Sequence, residues 1–183
     1  MKKKIIKTIK SANPKILIGV LVILIAVISG FYLFKPQIGS KEVPYAVPAL
    51  TKPYTNTTFN FSLNIPEDFT ATESVLGDTH TIVFQNAKDE GIQIVVAPYD
   101  DKGVKVLTKD MIQSAIPDMK ITDDQVLEIG NDYKGLAFKS DNDAFDGDSR
   151  EVWFIYKDNL YQISTYSRFD ELLKQMFGTW QFK

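Results

Sequence analysis

Four aspartates between positions 141 and 148 (Asp141, Asp143, Asp146 and Asp148) are the densest set of side chains in this sequence that could do chemistry. Carboxylates at near-alternate positions beside a glycine suit a hard cation such as Ca²⁺, which gathers about six to eight oxygen ligands. The spacing departs from an EF-hand loop. With Asn142 at position one, position three is Ala144, and position twelve, where a bidentate Glu is needed, is Trp153. The preferred reading is a solvated hairpin loop in which the aspartates and Gly147 supply turn geometry. If the chain holds a metal, these four residues hold it and the ion is Ca²⁺; no other cofactor is expected.

The remaining candidates for catalysis are sparse. The single histidine, His80, rules out a histidine cluster for zinc and would have to be the base of any Ser-His-Asp site. It stands at the start of a strand with Asp78 two residues away, and no serine occupies a nucleophile-elbow context, so it reads as a strand-end histidine. Adjacent carboxylates such as Asp123-Asp124 and Glu67-Asp68 could in principle serve glycosidase-type acid–base chemistry. With 23 acids, chance neighbours are expected, and these flank turns. No glycine-rich loop suits a phosphate. The absence of cysteine excludes a thiol nucleophile, a zinc–thiolate site, lipidation at cysteine and a disulfide framework. Aromatics are the last clue. Tyr99, Tyr133, Trp153 and Tyr166 fall near expected strand ends, where exposed rings favour protein or glycan contacts; packing beneath helices accounts for them equally well.

The segments that position these residues divide sharply by charge. Residues 1–36 carry seven lysines and no acid; the remainder holds 14 Lys and Arg against 23 acids, a net charge of −9. A domain so acidic is repelled by phosphate backbones and anionic headgroups, which argues against nucleic acid as a partner. Residues 16–34 are free of charge and bracketed by Lys15 and Lys35, and at about 1.5 Å per residue they span roughly a bilayer core. Six lysines precede them, so the positive-inside rule leaves residues 1–15 in the cytoplasm and sends the C-terminal part across the membrane. Cleavage as a signal peptide is disfavoured by the length of the run and by Ile28 where a small residue is wanted. Residues 35–56, with Pro36, Pro44, Pro48 and Pro53, read as an extended stalk, and 57–183 as the folded domain.

Within that domain, alternating apolar residues predict strands at 59–65, 79–85 and 91–99, with a weaker one at 70–74. Thr108 is placed to cap a helix carrying Met111, Ile112, Ala115 and Ile116 on one stripe, with Leu107 stapled to Ile112 and Pro117 ending it. A strand pair, 125–129 with 134–140, surrounds Asn131-Asp132. A hairpin, 151–157 with 160–166, is expected to turn at Asp158-Asn159, pairing Tyr156 with Tyr161, Phe154 with Ile163 and Val152 with Thr165. Ser167 is placed to cap a last helix whose stripe is Phe169, Leu172, Leu173, Met176, Phe177 and Trp180, and residues 180–182 predict a short edge strand. Short connections imply antiparallel pairing, hence α+β rather than a doubly wound fold.

The stretches "FNFSLNIPEDF", "TIVFQNAKDEGIQIVVAPYD", "REVWFIYKDNLYQISTY" and "FDELLKQMFGTWQF" together resemble the PsbP/Mog1-like group of domains over most of residues 59–183. The resemblance implies an α-β-α sandwich, an antiparallel sheet flanked by helices, and membership among binding, assembly or stability factors that are often extracytoplasmic and are not enzymes. It assigns no functional residue. The function expected is therefore a non-catalytic binding or assembly domain of the cell envelope, held by a single-pass anchor and facing a protein or envelope component. A carboxylate-based envelope hydrolase and a Ca²⁺-responsive module are the alternatives. A deep cleft with two carboxyls of raised pKa would favour the hydrolase, and an aromatic patch the binder.

Overall fold

The computed structural model describes residues 45–101, 103–130 and 133–183. The expected tail (1–15) and membrane span (16–34) lie outside these residues, and among the described residues no helix is long and apolar enough to cross a membrane. The strands are β1 (Lys52–Asn56), β2 (Phe61–Ile65), β3 (Thr70–Leu76), β4 (Thr79–Gln85), β5 (Gly91–Pro98), β6 (Thr122–Ile129), β7 (Tyr133–Ser140), β8 (Ser149–Tyr156), β9 (Asn159–Tyr166) and β10 (Gln181–Phe182). Two helices, α1 (Lys109–Ala115) and α2 (Asp170–Gly178), complete the domain.

Seven strands form one sheet in the order β3-β4-β5-β9-β8-β7-β6, and β1-β2-β10 form a second. Every pairing is antiparallel. Alternation along the strands divides the large sheet into two faces. On one, Phe84, Ile94, Phe154 and Ile163 meet Phe61, Leu63 and Ile65 of β2 and Leu172, Leu173 and Met176 of α2. On the other, Leu136, Phe138, Trp153 and Leu160 meet Ile112 of α1, flanked by Leu107 and Ile121. The α+β expectation holds, but the sandwich differs from helix–sheet–helix: one flank is shared between α2 and the small sheet. The cause is β1. Its sequence, Lys-Pro-Tyr-Thr-Asn, lacks strand alternation, yet Pro53 is tolerated because β1 is an edge strand.

That strand also corrects the stalk boundary. Tyr45, Val47, Leu50 and Tyr54 are partly buried against the core, so residues 45–56 belong to the folded domain. The expected hairpin is present with its register moved by two residues. Phe154 faces Tyr161, Val152 faces Ile163, and Tyr156 faces Asn159. The turn residues are Lys157 and Asp158, at φ 46° and 59°, the pair of positive values a tight primed turn requires. A two-residue shift preserves which face each side chain occupies, so the core assignment survives.

Thr108 caps α1 as expected, its side chain accepting from Met111 N at 3.3 Å. Ser167 does not cap α2. It opens a 3₁₀ turn (Ser167–Phe169), and its hydroxyl donates to Asp148 Oδ1 at 2.6 Å instead.

Register fixes two poles. β9 runs from Asn159, opposite Pro98 and Tyr156, to Tyr166, opposite Ser149. Just beyond that second end, the ring of Phe169 lies 4.2 Å from the ring of Tyr45. The first described residue thus joins the domain at the Tyr166 pole. The Asn159 pole is a strand length away, roughly 25 Å for eight residues.

Candidate functional site

The Asn159 pole holds a cleft of about 370 Å³. Its walls come from three separate parts of the chain: the segment after β5, the start of β7, and the β8–β9 turn. Tyr156 is buried and forms the floor with its ring 3.6 Å from that of Phe182. Tyr133 stands edge-on to Tyr156 at 4.5 Å, a half-buried wall. Tyr99 is the facing wall. Its backbone N–H donates to the carbonyl of Asp158 at 2.8 Å, carrying the β5–β9 ladder one residue past the strand. Burial, with the Asp101 carboxylate second, pushes the Tyr99 phenol above its ordinary value. Val104, Val106 and Ile155 supply apolar lining.

Around these rings stand Lys105, Lys134 and Lys157, all exposed, with Asp101 and Asp158. Among the described residues none of the three lysines lies within ion-pair distance of a carboxylate, a property they share with Lys52, Lys88, Lys120 and Lys183, whereas Lys109, Lys139, Arg150, Arg168 and Lys174 are paired. Lys157 Nζ sits 5.1 Å from the Tyr156 ring centre. In a domain of net charge −9, a lining with three lysines against two aspartates is locally richer in cations than the rest of the chain. The lining therefore offers ring faces, cations and acceptors, the equipment of a binding site.

A second polar arrangement lies towards the other pole. Glu151 is fully buried on the α1 side of the sheet. Its carboxylate accepts from Ser149 Oγ (2.8 Å), Ser164 Oγ (2.5 Å), Trp153 Nε1 (3.3 Å) and Asn142 Nδ2 (3.3 Å). Burial raises its pKa and the four donors oppose the rise, with burial the larger effect. The network ties the acidic loop to the sheet through Asn142. It lies outside the cleft, so the carboxyl group with raised affinity for protons is not a cleft residue.

The expected metal residues are placed apart. Asp141, Asp143, Asp146 and Asp148 are all exposed. Asp146 adopts φ 58° and reaches Arg168 at 3.9 Å, while Asp148 accepts from Ser167. Among the described residues no three acidic or imidazole side chains converge in a way that could hold a metal ion. His80 is half-buried in β4 with its ring 4.9 Å from that of Phe59. The Asp123-Asp124 pair is split by a bulge in β6, and each carboxylate has its own lysine, Lys139 and Lys109. Glu67 accepts from Thr51 Oγ1 at 3.0 Å.

Of the four aromatics expected near strand ends, Trp153 and Tyr166 are buried and Tyr99 and Tyr133 both line the cleft. The lysines and Tyr156 were not anticipated. Glu151 had a signal: in the hairpin it shares a face with Trp153 and Ile155, so parity placed a glutamate on a buried surface.

No protein-family model and no curated protein matches the chain. Among solved structures it is similar to the solution structure of cyanobacterial PsbP (CyanoP) from Synechocystis sp. PCC 6803. The two are 11% identical over 80% of this chain and 99% of that one, with a TM-score of 0.47.

Proposed function

We propose that this protein is a membrane-anchored, extracytoplasmic, non-catalytic binding domain of the cell envelope that receives its ligand in the Tyr99–Tyr133 cleft. The observation that carries the reading is the position of the cleft. It lies at the pole opposite the one where the chain joins the domain, and it gathers three lysines on an acidic body. With residues 16–34 as the anchor, a domain tethered at Tyr45 turns this cleft away from its own membrane. Rigid Tyr walls cost little conformational entropy on binding, and the lysines draw an anionic group.

Two measurements on the full-length protein in intact cells test this. In cells stripped to the cytoplasmic membrane, a membrane-impermeant amine reagent should modify the domain's lysines without permeabilisation. A photo-reactive residue in place of Tyr99 should cross-link a discrete species. The same residue in place of the exposed Val75 of β3 should not. Lysines reached only after permeabilisation would place the domain in the cytoplasm and end the reading. Indistinguishable cross-linking at the two positions would remove the cleft from it.

A further inference from the structure

The ligand class can be narrowed from the cleft's own chemistry, resting on the binding reading above. An α-helix is about 10–12 Å across with its side chains, too bulky for a cavity of about 370 Å³. An extended peptide captured by strand addition needs a free sheet edge. The edges of the large sheet are β3 and β6, and neither lines the cleft, which is built from strand ends and a hairpin turn. A dense polyanion is disfavoured by Asp101 and Asp158 beside the lysines and by the net charge of −9. What remains is a compact ligand with one anionic group for the lysines, hydroxyl donors for the two aspartates, and a ring whose apolar face lies against Tyr99, Tyr133 or Ile155.

The geometry points to a sugar ring bearing a carboxylate as the ligand of this cleft. Lys134, at the start of β7, and Lys105, on the facing wall, hold the carboxylate. The phenol of Tyr99 donates to a ring or hydroxyl oxygen.

The test is calorimetric titration of the full-length protein in detergent micelles with the monosaccharide galacturonic acid, neutral galactose, inorganic phosphate and a peptide of alternating Asp and Gly. The expected result is saturable binding of the acidic sugar that weakens as salt rises. Neutral galactose should bind at least about tenfold more weakly, as should the acidic sugar to a Lys105→Glu/Lys134→Glu protein, because a charge-assisted contact is lost in each case. Both lysines are exposed, and an unchanged melting temperature would show the variant folded. Equal affinity for the two sugars, or unaltered binding by the double variant, overturns the inference, as does preference for phosphate or the peptide. No saccharide binding with cross-linking at position 99 intact overturns the ligand class alone. Loss of both overturns the binding reading beneath it.

Discussion

Replacing Glu151 sets two opposing effects against each other, and its pH dependence decides between them. The carboxylate is 1% exposed and accepts from four donors. Each donor holds the charged form, and burial expels it; burial is the larger effect, so the folded pKa lies above the unfolded value of about 4.3. The sign follows. Between those two values the native protein keeps a proton that the unfolded chain releases, so this residue's contribution to stability is fully present below about 4.3. It is lost as pH rises through the folded pKa, and a folded pKa one pH unit above the unfolded one is worth about 1.4 kcal/mol. Glu151→Gln carries no such dependence. The stability of wild type minus that of Glu151→Gln, which cancels the other carboxylates, should therefore decrease across the acid range and then level off.

At neutral pH Glu151→Gln should lie within about 1 kcal/mol of wild type, because the serine hydroxyls can turn to accept from the new amide. Glu151→Ala strips the acceptor from two hydroxyls, an indole and an amide at once. It should cost about 3–5 kcal/mol, the range found when one partner leaves a buried polar network. The assay is urea unfolding of the full-length protein in micelles from pH 4 to 8, followed by fluorescence of the buried Trp153 and Trp180. A difference that grows in favour of wild type with rising pH would refute the reasoning, since it would mean that the four hydrogen bonds outweigh burial and depress the pKa.

Three further outcomes follow from local geometry. A Cβ on Gly91 would stand 1.8 Å from the carbonyl oxygen of Phe84, and that atom is backbone, so Gly91→Ala should cost about 3 kcal/mol by the same unfolding assay; an unchanged midpoint would contradict the close approach. Thr108→Ala removes the acceptor for Met111 N and should cost about 1 kcal/mol, and a null effect would mean that the cap adds nothing to α1. Titration with Ca²⁺ should leave the amide NMR shifts of residues 141–148 unmoved, because the four aspartates do not converge and Asp146 and Asp148 face Arg168 and Ser167; saturable shifts confined to that loop would overturn this.

The fold was legible wherever a strand alternates or a helix carries a full apolar stripe. β2, β4, β5, the β8–β9 hairpin and α2 were each located within a few residues, because burial on one face leaves a period in the sequence. The hairpin register was not. Asn159 tolerates positive φ at least as well as Lys157. Only the tertiary contact of Tyr99 N with the Asp158 carbonyl, together with the pairing of Pro98 and Asn159, shows why the turn lies one residue earlier. β1 was hidden for the opposite reason. Its proline and polar residues satisfy an edge, whose stability comes from β2 and from Tyr54 against Phe84 at 4.9 Å, and neither contact leaves a local pattern.

The candidate site shows the same division between local and non-local information. Tyr99 and Tyr133 were visible as rings at strand ends, but 34 positions apart in sequence. They share a cleft because β5, β9, β8 and β7 are consecutive in the sheet, so the end of β5 and the start of β7 fall at one pole on either side of the β8–β9 turn. The lysines carried no signal at all, since a lysine on a turn is ordinarily a solvated side chain. What sets Lys105, Lys134 and Lys157 apart is relational: they come from three separate segments and line one cleft with Tyr99 and Tyr133. The acidic loop is the mirror case. Its four aspartates were conspicuous because they are close in sequence, yet they are exposed and do not converge, and Asp146 and Asp148 face Arg168 and Ser167 instead. Proximity along the chain therefore overstated the loop, while proximity across the sheet assembled the cleft.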